Sequence, residues 1–141
     1  MGRRLQVGRQ VKATLRLYHR LSTPEIATEL LGIEPTRTQS AGFDPEAGAR
    51  RPNGWFLSSG EHRDLGSALH SVLAQLDRER LDALREQQWS VDVLCSVESK
   101  GGSSFFTIPP EDSYLAGSLG LPLVVLMLSD VDDAPGTTRT A

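Results

Sequence analysis

Trp89, Val91, Val93, Cys95 and Val97 alternate with Ser90, Asp92, Leu94, Ser96 and Glu98 over ten consecutive residues. Successive side chains of a strand point to opposite faces, so this period of two predicts a strand with one buried face and one wet face. Val11, Ala13, Leu15 and Leu17 repeat the pattern against Lys12, Thr14, Arg16 and Tyr18. A helical bundle has no place for two such segments. They demand a sheet whose apolar side is covered by other parts of the chain.

Helical periods supply that cover. Leu65, Leu69, Val72, Leu73 and Leu76 recur at helical spacing. Leu81 falls roughly 140 degrees from Leu76 on a helical wheel, which predicts a break near Asp77 and a second helical piece over 78–87. A short helix over 24–31 is announced by Thr23 as cap, Pro24 at the first helical position and Glu25 at the positive end of the dipole. Ile26, Leu30 and Leu31 form its apolar stripe, and Gly32 is suited to end it. Pro110 opens a final helix through Tyr114, Leu115 and Leu119, with Gly120 at its close.

Three more strands are predicted. One spans 54–58, and one spans 104–108, paired as a hairpin with the 89–98 strand through Lys100-Gly101-Gly102-Ser103. The last covers 121–128, where an unbroken apolar run implies burial on both faces and a central or covered position. The expected fold class is α+β, with about five mainly antiparallel strands and helices packed on one face. Its C-terminal two thirds follow a ferredoxin-like (split βαβ) order. Residues 1–9 are expected to form a flexible basic arm, 10–129 a single α+β domain and 130–141 a disordered tail.

The 15 basic and 18 acidic side chains leave a formal charge of −3. Domains that hold nucleic acid by bulk electrostatics are strongly basic, so no nucleic-acid partner is expected. Nor is a membrane, because no apolar run approaches the roughly 20 residues of a spanning helix. Cys95 is the single cysteine, which excludes an intramolecular disulfide and a multi-cysteine zinc site and suits a reducing cytoplasm, the expected location.

No local signature of catalysis is present: no nucleophile elbow, phosphate-binding Gly-Lys-Ser/Thr loop, HExxH or GxGxxG after a strand. His62-Arg63-Asp64 matches the kinase triplet without its downstream asparagine or DFG element, and Asp64 is better explained as a helix cap. Asp130, Asp132 and Asp133 lack the glycine and terminal glutamate of a calcium loop. His19 ends a strand and His70 borders an apolar stripe. No catalytic residue, metal or cofactor is therefore assigned.

The remaining candidate is the stretch over 33–53, read as a long loop without a period. Loops beyond about 12–15 residues in compact domains are usually functional or mobile. Arg37, Arg50 and Arg51 stand near Trp55 in sequence, with Thr36 and Thr38 as hydroxyl donors. Thr36, Arg37, Thr38, Arg51 and Trp55 are the candidate binding residues, suited to a carboxylate, a phosphate or a protein partner. The alternative packs Trp55 in the core and pairs the arginines with Glu34, Asp44 and Glu46. Arg78, Arg80 and Arg85, interleaved with Glu79, Asp82 and Glu86, read as an exposed helical face.

The succession Thr23-Pro24-Glu25-Ile26, Leu30-Leu31-Gly32-Ile33-Glu34-Pro35-Thr36-Arg37-Thr38, Gly42, Arg51 and Trp55 resembles the bacterial domain-of-unknown-function family 4279. The similarity continues through the leucine-striped helix, the strand ending at Val97 and Leu119-Gly120-Leu121. It implies a bacterial, intracellular α+β domain and carries no activity. Two functional classes follow. One is a non-catalytic protein-binding module, of immunity type, engaging one basic protein. The other is a small-ligand or anion-binding domain, or an enzyme, built on the 34–55 loop.

Overall fold

The structure, a computed structural model, describes residues 9–99 and 105–129. The elements run β1 (Arg9–His19), α1 (Pro24–Leu31), β2 (Arg37–Gln39), β3 (Gly42–Asp44), β4 (Ala49–Arg51), β5 (Asn53–Ser58), α2 (Leu65–Leu73), α3 (Arg78–Glu86), β6 (Ser90–Ser99), α4 (Pro110–Ser118) and β7 (Leu123–Ser129). The fold is α+β. Five strands form one sheet in the order β2-β5-β1-β6-β7, and β3 and β4 make a separate two-stranded hairpin. The β1–β5, β1–β6 and β2–β5 pairings are antiparallel, and β6–β7 is parallel.

Register explains the layering. Leu15 lies opposite Leu57 and Val93, and Leu17 opposite Trp55 and Val91, so the alternating apolar residues of three strands share one face. Ala27 and Leu31 of α1, the leucines and Val72 of α2, Leu81 and Leu84 of α3 and Ala116 of α4 pack with that face in one cluster. Every helix therefore covers the same side, as expected. The opposite side stays open and carries Thr14, Arg16 and Tyr18 beside Asp92 and Ser96. Arg16 makes a two-pronged contact to Asp92, with nitrogen–oxygen distances of 2.8 and 2.9 Å. That hydrogen bond holds the guanidinium pKa above its ordinary value, outweighing desolvation.

Helix ends obey local rules. Asp64 accepts from the Ser67 amide at 2.8 Å and Asp77 from the Glu79 amide at 3.2 Å, so the predicted break near Asp77 is a new cap. Thr23 does not cap α1 with its side chain; Pro24 opens the helix without it. The α3 arginines pair with Asp77 and Asp82, and Arg78 and Arg80 lie on the exposed face expected of them; all three also reach the carboxyl ends of two neighbouring helices. Arg80 donates to the Leu30 carbonyl, Arg78 to that of Ser118, and Arg85 to those of Leu119 and Gly120. Each places a cation where a helix dipole ends negative. Gly120 sits at φ 72°, and a Cβ there would stand 3.2 Å from the Arg85 guanidinium.

Four expectations are corrected. Arg9, assigned to the arm, opens β1; the rest of the arm, the 100–103 turn and the 130–141 tail lie outside the described residues. The 33–53 stretch is not a structureless loop but contains β2 and the β3–β4 hairpin. Residues 105–108 form no strand, so the hairpin partner of β6 and the ferredoxin-like split βαβ order are not found among the described residues. Instead α4 carries the chain from β6 to a parallel β7. With no strand beyond it among the described residues, β7 is an edge strand, and its apolar run is half-exposed instead of buried on both faces.

Candidate arginine cleft

The excursion between β2 and β5 is tethered to the sheet by two amide side chains. Buried Asn53 accepts from the Ala41 amide at 2.9 Å, and Gln39 donates to the Pro52 carbonyl at 2.9 Å. These contacts bring the β3–β4 hairpin beside the segment that leaves β1. Between them lies a hollow of about 570 Å³ lined by Arg20, Leu21, Ala41, Arg50, Arg51 and Pro52. A second, of about 630 Å³, shares Arg20, Leu21 and Pro52 and extends to Tyr18, His19, Gln88 and Ser90. Among the described residues, no ion pair joins Arg20, Arg50 or Arg51 to a carboxylate. The expected pairing of the loop arginines with Glu34, Asp44 and Glu46 is absent there too; Asp44 accepts from the Glu46 amide instead.

His19 builds one wall. Its Nδ1 accepts from the Leu21 and Ser22 amides, both at 2.9 Å, which puts the proton on Nε2, 2.8 Å from the Gln87 carbonyl. The ring thus ties the end of β1 to the end of α3. At that end the Trp89 amide bonds to the Leu84 carbonyl and the Gln88 amide to that of Arg85, the paired contacts of a Schellman turn. The turn requires a left-handed residue, usually glycine, yet Gln88 occupies it at φ 73°. An L-residue there costs about 1–2 kcal/mol. Gln88→Gly is accordingly expected to raise unfolding free energy by about 1 kcal/mol, seen as a higher urea midpoint at unchanged slope.

The five residues singled out from sequence do not converge. Arg51 lines the cleft. Arg37 lies on the open face of the sheet with its guanidinium carbon 4.2 Å from the Phe56 ring centre, and Tyr18 meets the same ring edge-on at 5.6 Å. Thr36 accepts from the Ser58 amide at 2.9 Å, which anchors β2, and Thr38 is exposed opposite Trp55. Trp55 is fully buried, its indole N–H donating to the Thr28 hydroxyl at 2.9 Å. Arg20 and Gln88 were not legible as site residues, because neither stands near the suspect stretch in sequence.

A third hollow, of about 590 Å³, runs between α2 and the start of α4, lined by Asp64, Ser67, His70 and Asp112 among others. Burial pushes the Asp112 carboxyl up, His70 pulls it down, and Glu111 and Asp64 add to the rise. No group of three or more histidine, cysteine or carboxylate side chains is placed to hold a metal ion among the described residues. No helix there is long and apolar enough to cross a membrane.

The model of the family DUF4279, a domain of unknown function, matches residues 9–130, from the first strand of the sheet to the last. The chain belongs to the DUF4279 family. No curated protein and no solved structure matches it. Within this DUF4279 domain both the cleft and the open face lie inside the matched stretch, so they are parts of the domain itself rather than of an appended segment.

Proposed function

We propose that this DUF4279 domain is a non-catalytic binding module that takes an anionic group, a carboxylate or a phosphate, in the cleft between Arg20 and the β3–β4 hairpin. The observation that carries this reading is the trio Arg20, Arg50 and Arg51 around one hollow with no carboxylate partner among the described residues. Guanidinium groups present planar forks that match carboxylate and phosphate oxygens, and unpaired ones have donors to give. We place the module in the cytoplasm, on the strength of a single, buried, unpaired cysteine.

Inorganic phosphate and citrate are the probes. The wild type is expected to gain thermal stability with rising probe concentration, less so at high salt. In the Arg50→Ala, Arg51→Ala double variant the gain is lost, each charged hydrogen-bond donor being worth roughly a tenfold change in affinity or more. An unchanged response in the double variant overturns the reading. Titration calorimetry on the same proteins gives the affinities directly.

A protein partner of immunity type is the second reading, favoured by Leu21. That side chain is 84% exposed at the mouth of the cleft, a large apolar group beside the arginines. The arginines select an acidic surface, not the basic protein expected from net charge. Capture of one stoichiometric acidic protein, lost in Leu21→Asp, decides for it.

A further inference from the structure

Edge strands of natural sheets are normally blunted by charge, proline, a bulge or a covering segment, because their unpaired amides and carbonyls template further pairing. β2, at one edge of this sheet, has three residues and carries Arg37. β7, at the other edge among the described residues, has seven residues, Leu-Val-Val-Leu-Met-Leu-Ser, with no charge and no proline. It pairs residue for residue with β6 from Leu123 to Ser129, so its ladder has no bulge. Val124, Val125, Leu126, Met127 and Leu128 are 39–48% exposed, on both faces of the strand. None of them lines the arginine cleft.

These features define what covers β7. Its free backbone groups need an extended segment, and its two apolar faces need that segment to be apolar on both faces as well. β1, β5 and β6 do not qualify: their open-face positions carry Lys12 and Arg16, Ser58, or Asp92 and Glu98. Among the described strands, β7 itself has the required composition. An antiparallel pairing of β7 with its own copy is also symmetric. Leu126 faces Leu126, Val125 faces Met127 and Val124 faces Leu128. Each pair lies on one face of the sheet, and no charge meets a like charge.

We propose that two copies of this chain join along β7, edge to edge and antiparallel about Leu126, into one continuous ten-stranded sheet. The joined strand is about 23 Å long, which belongs to the small class of interface. Both clefts stay open, since they lie beside β1 and the hairpin.

Sedimentation equilibrium of the full chain from sub-micromolar to near-millimolar concentration tests this. The mass is expected to rise from 15.4 kDa to twice that value. Leu126→Lys places two like charges face to face at the centre, and is expected to hold the chain at the monomer mass with its circular dichroism and cooperative melting retained. Cysteine variants fix the register without relying on that protein. Leu126→Cys sits opposite its own copy, within the Cα separation a disulfide needs, and is expected to cross-link on mild oxidation. Leu128→Cys faces Val124 and is expected not to. Buried Cys95 does not compete. A wild type that remains at 15.4 kDa throughout overturns the proposal, as does a dimer that survives Leu126→Lys or cross-links through Leu128→Cys in preference. So does a monomer whose β7 is occupied by a strand from a different protein.

Discussion

Trp55→Ala is expected to cost the domain about 3–5 kcal/mol, the range for truncating a large buried aromatic. The ring is fully buried among the core residues of β1, β5 and the helices, and its N–H spends its one hydrogen bond on Thr28. Substitution leaves a cavity and strands that hydroxyl. Domains of this size have about 5–15 kcal/mol to lose, so the variant is expected to be partly unfolded at 37 °C. Urea denaturation followed by circular dichroism measures it directly. The Arg50→Ala, Arg51→Ala variant changes exposed side chains without ion-pair partners among the described residues, and is expected to keep the wild-type midpoint. A near-wild-type midpoint for Trp55→Ala would contradict the packing described for β5.

Alkaline pH is expected to weaken the fold through Cys95. The thiol is fully buried on the covered face of β6, opposite Ala13, and burial pushes its pKa from 9.0 up to about 11. Its folded value lies above its unfolded one. The neutral thiol therefore contributes stability that is fully present below pH 9 and is lost as pH rises through 11. A shift of that size corresponds to about 2–3 kcal/mol. The measurement is a difference, which removes every contribution common to both proteins: unfolding free energy against pH for the wild type and for Cys95→Val. The valine variant is expected to lose less stability between pH 8.5 and 11 by about that amount. Parallel curves would show that the site is wetter than the packing implies. The same burial makes the folded protein resist alkylation at neutral pH, with labelling appearing as it unfolds.

β1, β6, α2 and α3 were legible because each is long enough for a period to declare itself. The break at Asp77 was legible because a stripe losing phase is a local property of the chain. The three-residue strands β2, β3 and β4 were not, since no alternation can be read in so few positions. β7 misled for a different reason. An unbroken apolar run says that both faces avoid water, but it cannot say whether the neighbours come from the same chain, and here one side has none among the described residues. The local pairing of Arg78, Arg80 and Arg85 with neighbouring acids was legible, but their further partners, helix-end carbonyls about 35–50 residues away in sequence, were not. Arg51 was found through its place in a long irregular stretch. Arg20 was not, because only the tether made by Asn53 and Gln39 brings the hairpin to it. Trp55 admitted two readings in sequence, and packing puts it in the core.

The position of β1 at the centre of the sheet bears on how the protein is made. Its partners are β5 and β6, and its first paired residue, Arg9, lies opposite Ser99. Of the described strands β1 comes first in the chain, and its second edge is covered only by β6, about 80 residues later. Pairings so distant in sequence fold slowly, and an emerging chain keeps one edge of β1 without a strand partner until β6 has cleared the ribosome. A fragment ending before Ser90 leaves that strand with one entire ladder unmade. The two ends of the domain are therefore tied through one central strand, and its stability cannot be divided into an N-terminal and a C-terminal share.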